Sequence, residues 1–169
     1  MASITERMKG AALLEVATYE EVEADTTATG QAAVVVVLGA IAAGIGAARG
    51  GPGLIVGAVL SSLFQWVVWA GITYVIGDKV LGGTATWGEL LRTLGFAQSP
   101  RVLAVLGIIP GMQRIVFPVI WIWLLITGVV AIRQALDFST GKAVATALLG
   151  WLAIMVLSIP LAILGLGRF

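Results

Sequence analysis

No cysteine and no histidine occur among the 169 residues, which leaves nine carboxylates, ten Lys and Arg side chains and scattered hydroxyls to carry any chemistry. That inventory removes thiolate nucleophiles, disulfides, zinc sites of the Cys and His type, and His-ligated haem. One stretch invites a phosphate-loop reading, Asp137-Phe138-Ser139-Thr140-Gly141-Lys142. It does not fit GxxxxGK[ST], because the first glycine would fall on Leu136 and Ala143 stands where a hydroxyl should hold magnesium. Ser139 or Thr140 is better read as the N-cap of a following helix. Six of the nine carboxylates, Glu6, Glu15, Glu20, Glu21, Glu23 and Asp25, fall in the first 30 residues, and Asp78, Glu89 and Asp137 flank apolar runs. No nucleophile sits beside a base, so no catalytic residue, cofactor site or metal site is expected, and the protein is read as a non-enzyme.

The side chains that stand out are polar and aromatic groups inside an apolar run. Ser61, Ser62, Gln65, Trp66, Trp69 and Thr73 share about 140° of arc when residues 54 to 76 are wound as a helix. Trp66 and Trp69 are too central to belong to an interfacial belt, as are Trp121 and Trp123 in their own run. A buried indole N–H needs an acceptor, which Gln65 or the serines could provide across helices. Two readings of this face stay open: a polar packing seam, or a groove for a lipid, a partner or a small molecule.

The elements that must carry these residues follow from composition. The chain is 59% hydrophobic and 11% charged, with mean hydropathy +1.04. An ordinary soluble domain has about 25% charged residues for its polar skin, so this is an integral membrane protein, with membrane lipids as its surroundings. Its net charge of +1 gives no basic footprint for nucleic acid. The expected fold is all-α: a polytopic membrane helical bundle of about five transmembrane helices, with interfacial amphipathic helices at the N-terminus and in mid-chain.

Spans are expected at about 31–48, 54–76, 96–112, 115–132 and 143–166, with Arg49-Gly50-Gly51-Pro52-Gly53 turning the first into the second. The apolar stretch 102–112 is too short to cross as an α-helix unless it is extended back past Pro100 to Phe96. Residues 1 to 30 form a separate acidic segment, in which Ile4, Met8, Ala11, Ala12, Tyr19 and Val22 share one arc broken by Glu15. One or two short helices on the membrane surface are expected there. Thr86 and Glu89 form a capping box that starts an interfacial helix over about 86 to 97, with Trp87 at headgroup depth. Arg101 and Arg114 are read as interfacial anchors that snorkel.

In the first span, Gly39, Ala43 and Ala47 make one line of small residues at spacing four, and Ala40, Gly44 and Ala48 another. Such lines permit close helix contact, within the chain or in a homo-oligomer, and Gly39, Ala43 and Gly44 are its candidates. Lys and Arg in the loops divide seven to three in favour of a cytoplasmic N-terminus whether the chain crosses four times or five.

Three stretches, TYEEVEADTTATGQAAVVVV from Thr18, TWGELLRTLGFAQSP from Thr86 leading to IIPG at Ile108 to Gly111, and VVAIRQALDFSTGKA from Val129, resemble the bacterial branch of the Yip1 family. The resemblance implies five transmembrane helices in the inner membrane, an N-terminus inside and a C-terminus outside. Eukaryotic members of similar layout are associated with vesicle traffic, prenylated small GTPases and partners of the same fold. The chain lacks the aspartate-leucine-any-glycine-proline signature of those members, and Glu20 to Asp25 are the nearest acidic counterparts. The reading that follows is a protein acting by binding, as a scaffold or accessory subunit with a protein partner or a second copy, or in lipid organisation. The alternative is a small transporter or permeability protein for an uncharged or amphiphilic solute.

Overall fold

The computed structural model describes residues 2–47 and 52–163. The turn at Arg49 to Gly51, the end of the small-residue line at Ala48, and Arg168 lie outside the described residues. Among the described residues seven α-helices form in chain order: α1 (Ile4–Ala12), α2 (Val16–Ala24), α3 (Ala28–Gly46), α4 (Pro52–Tyr74), α5 (Trp87–Phe96), α6 (Gln113–Ala135) and α7 (Thr140–Ile163). A π-helical stretch, Val75–Val80, continues α4, and a 3-10 helix, Ser99–Ile108, follows α5.

Local sequence accounts for most of the boundaries. Thr86 accepts from the Glu89 amide while the Glu89 carboxylate accepts from the Thr86 amide at 2.7 Å, so both halves of the expected capping box form. Ser3 and Glu6 build a second box at the start of α1. The N-terminal arc breaks where Glu15 interrupted it: Leu14 takes φ +64° and Glu15 is the N-cap of α2. Pro52 begins α4, at a helix start where its missing N–H costs nothing. Ser139 Oγ accepts from the Lys142 amide at the head of α7, the capping role read from its position.

The outward faces carry large apolar side chains, among them Leu60, Phe64, Ile122, Leu125 and Leu148. Ala28–Gly46, Gly53–Val80 and Gln113–Ala135 are each long and apolar enough to cross a membrane, and α7 runs for 24 residues. Such a surface is at rest in hydrocarbon and a liability in water.

Residues 96–112 differ from the single span expected. They divide between the end of α5, the 3-10 helix and a turn in which Gly111 takes φ +84°. Contacts along α3 show what this achieves. Gly95 abuts Ala32, Arg101 lies on Gly39, and both Ala104 and Gly107 meet Gly46. The segment therefore runs parallel to α3 over 14 residues of that helix, about 21 Å at 1.5 Å per residue. A 3-10 helix rises about 2.0 Å per residue, so ten residues reach about 20 Å where an α-helix would give about 15 Å. The tighter helix supplies length that the short apolar run lacks.

From there α6 returns. Gln113 donates to the Gly46 carbonyl at one end, and Thr127 donates to the Ala97 carbonyl toward the other. α7 then runs against α4, with Lys142 Nζ donating to the Leu81 carbonyl and Gly150 against Trp69 and Ile72. Five segments thus alternate in direction, α3, α4, residues 95–108, α6 and α7, each a pass along the bundle. The near end holds α1, α2, α5 and the junctions α4/α5 and α6/α7; the far end holds Gly46, the Ile109–Met112 turn and the end of α7.

At the near end α1 and α2 dock as a hairpin on α5 and α6. Tyr19 is fully buried, its hydroxyl donating to the Ala11 carbonyl at 3.0 Å and toward that of Thr127. Trp123 Nε1 donates to the Ala12 carbonyl at 2.8 Å. Arg7, 1% exposed, bonds Glu21, Asp25 and Gln31, joining α1 to α2 and α3. Arg92 of α5 donates to the carbonyls of Val22 and Glu23, which would otherwise be unpaired at the end of α2.

Candidate functional site

A groove of about 340 Å³ opens among four of the five passes. α4 contributes Ser62, Gln65, Trp66 and Trp69; the 95–108 pass and its lead-in contribute Gln98 and Arg101. Trp121 of α6 and Trp151 with Ile154 of α7 complete the lining. An apolar cleft of about 230 Å³ adjoins it, sharing Trp69 and Trp121 as a common wall and ending on Leu125, Gly128 and Ala147. Ser62 and Trp66 form the floor, buried to 5% and 6% exposure, while Trp121 and Trp151 stand exposed at the mouth.

The groove is central along the passes. Gly39, which receives the stem of Arg101, is neither in the first nor in the last turn of α3, and Trp66, Trp69, Trp121 and Trp151 all lie well inside their helices. Arg101 was expected at an interface. Its stem lies on Gly39, because the 95–108 pass starts beside Ala32 and carries residue 101 along α3. A Cβ on Gly39 would sit 3.1 Å from Arg101 Cβ, so the glycine makes room for the arginine stem. The guanidinium has one long bond, Nη1 to Gln98 Oε1 at 3.4 Å. Among the described residues it has no ion-pair partner, whereas Arg7 has two. A charge at mid-membrane costs about 2.5–3.5 kcal/mol on insertion scales and usually marks function.

The face Ser61 to Thr73 is thus divided. Ser62, Gln65, Trp66 and Trp69 enter the groove; Ser61 is exposed and outside its lining. Thr73 is fully buried away from it, its hydroxyl without a hydrogen-bond partner among the described residues. The acceptor for Trp66 is neither Gln65 nor a serine. Its Nε1 donates to the Leu91 carbonyl at 2.9 Å, tying α4 to α5.

Of the close-contact candidates, Gly39 meets Arg101 and Ala43 packs against the cluster of Ala104, Val116 and Ile120. A Cβ on Gly44 would reach only ordinary contact, 3.6 Å from Ile55. The tight crossings fall elsewhere. A Cβ on Gly46 would run into the Ala104 carbonyl, one on Gly107 would come within 2.7 Å of the Gly46 carbonyl, and one on Gly95 within 2.6 Å of Ala32. Trp87 is half exposed at the head of α5, and Arg114 is exposed in the first turn of α6. Trp151 was not singled out from the sequence, since a lone Trp in an apolar run carries no mark of what faces it.

Chemically the groove offers hydroxyl, amide, guanidinium and aromatic groups, with no carboxylate in its lining. Such groups can donate hydrogen bonds and stack against a bound surface. A family model, the Yip1 domain, matches residues 15–162, which takes in α2 through almost all of α7 and every residue of the groove. The chain belongs to the Yip1 domain family. No curated protein and no solved structure gives a match.

Proposed function

We propose that this Yip1-domain protein acts by binding inside the membrane, as a scaffold or accessory subunit of a membrane assembly, with the Arg101 groove as its contact surface. The observation that carries this reading is a mid-bundle cation with no ion-pair partner among the described residues, set in a groove whose mouth is formed by two exposed tryptophans. Trp and Arg are the residues that most often dominate binding energies at interfaces, and the floor beneath them is desolvated. The lining holds no base that could activate Ser62, which supports binding over catalysis.

Charge distribution supports a cytoplasmic near end. Among the described residues Arg7, Lys9, Lys79, Arg92, Arg133 and Lys142 belong to it, while Arg114 belongs to the far end. The N-terminus is then cytoplasmic and the C-terminus outside.

Purification in mild detergent tests the proposal. The wild-type protein should co-migrate with a stable partner. Trp121→Ala and Trp151→Ala, which remove exposed rings, should lose that partner while keeping the melting temperature of the isolated chain. A wild-type protein that is always recovered alone, or two variants that keep the partner fully, would overturn it.

A further inference from the structure

We infer that the groove receives a transmembrane helix of a different protein, one that carries an Asp or Glu near its midpoint to pair with Arg101. This rests on the binding reading above and names the chemistry of the partner. The stem of Arg101 lies on Gly39, Arg101 is part of the groove's lining, and among the described residues its guanidinium has one bond, at 3.4 Å to Gln98. Charge complementarity therefore asks for an anion at the depth of Trp66 and Trp69. A phospholipid phosphate is held at headgroup depth by its own hydration, and drawing it to mid-bilayer would desolvate a second charge. A carboxylate fixed to a spanning helix is already at that depth, and pairing relieves both groups at once. The exposed rings of Trp121 and Trp151 and the adjoining apolar cleft offer the rest of such a helix an aromatic and aliphatic bed.

A second copy of this chain does not supply the carboxylate. Its nine acidic residues lie at Glu6 to Asp25, Asp78, Glu89 and Asp137, all at the near end, and none lies inside a pass. The partner at this groove is therefore a different polypeptide.

Labelled host helices of about 20 Leu and Ala residues, with central Asp, Asn or Leu, provide the probe, read by energy transfer to the full-length protein in phosphatidylcholine vesicles. The Asp helix should associate about tenfold more strongly than the Leu helix, the order of the strongest measured polar contacts between membrane helices, with Asn between them. Arg101→Gln should erase the Asp preference, and Arg101→Lys, which keeps charge and stem, should retain most of it. If Arg101→Gln does not fold, the Asp-to-Leu ratio on the wild-type protein and on Arg101→Lys decides. Equal association of the Asp and Leu helices, or an Asp preference surviving in Arg101→Gln, would overturn the inference. So would loss of Asp-helix binding when phosphatidylglycerol is added, with that lipid retained by the wild-type protein and released by Arg101→Gln, since the anion would then be a headgroup. Failure here with a partner still lost from Trp121→Ala and Trp151→Ala would leave the binding reading standing and remove only the acidic helix.

Discussion

Thr73 and Trp66 show two fates of a polar atom in an apolar helix. Trp66 finds the Leu91 carbonyl, and Thr73, about two turns further along α4, finds nothing among the described residues. An unmet buried hydroxyl costs about 1–3 kcal/mol, so replacing it with a methyl of similar shape removes a penalty. Thr73→Val should leave the fold intact and raise stability by about 1 kcal/mol in a denaturant titration in bicelles; a loss of similar size would mean that the hydroxyl is engaged. Both residues share one helical face in the sequence, but nothing there pairs them, because the acceptor belongs to α5, 25 residues away for Trp66. Arg101 makes a related point. A charge beside Pro100 looks like a boundary, and only the parallel course of residues 95–108 along α3 sets its stem on Gly39.

Helix ends and amphipathic arcs were legible in the sequence, since each rests on neighbours three or four residues apart; helix crossings were not. Thr86 and Glu89, and the arc of Tyr19 and Val22 broken at Glu15, carry their own signatures. The lines of small residues in α3 show that something approaches closely but not which residue meets it. The structure separates them, so Gly46→Val should strongly reduce folded yield, by driving the 95–108 pass off α3, while Gly44→Val should fold with near wild-type yield in the same detergent. Equal tolerance would mean that the Gly46–Ala104 crossing is not held. The docked α1–α2 hairpin carries a second prediction. Burial, with the charges of Glu89, Glu20 and Asp137 around it, raises the Glu23 carboxyl to about 7, against the lesser opposing effect of Arg92. The folded state thus holds a proton that the unfolded chain releases nearer 4.5, so this contribution is complete below about pH 4.5 and is lost as pH rises to about 7. Asp25, held at about 2 by Thr27 and Arg7, acts oppositely, its contribution failing only in strong acid. Proteolysis between α2 and α3 should therefore quicken from pH 5 to pH 8, and Glu23→Gln should flatten that rise. An unchanged pH profile in the variant would assign the effect to another group.

For the whole molecule, apolar content and run lengths gave an all-helical membrane bundle without help from any contact. The means by which a short run completes a pass was hidden, because a 3-10 helix has no periodic signature in ten apolar residues. The absence of native cysteine makes the layout directly testable. Single cysteines at Ser139 and at Met112 should label from opposite sides of sealed vesicles with an impermeant maleimide, Ser139→Cys from the cytoplasmic side and Met112→Cys from outside. Labelling of both from one side would show that residues 95–108 enter and leave by the same face. The central claim, that this chain works through contacts in its groove, is tested most directly by a photo-crosslinking amino acid placed in living cells at Trp121 or Trp151, with Leu60 and Leu148 on the outer faces as controls. The account predicts one discrete protein adduct, formed at 121 and 151 and not at 60 or 148; adducts to lipid alone at all four positions, or the same protein at all four, would contradict it.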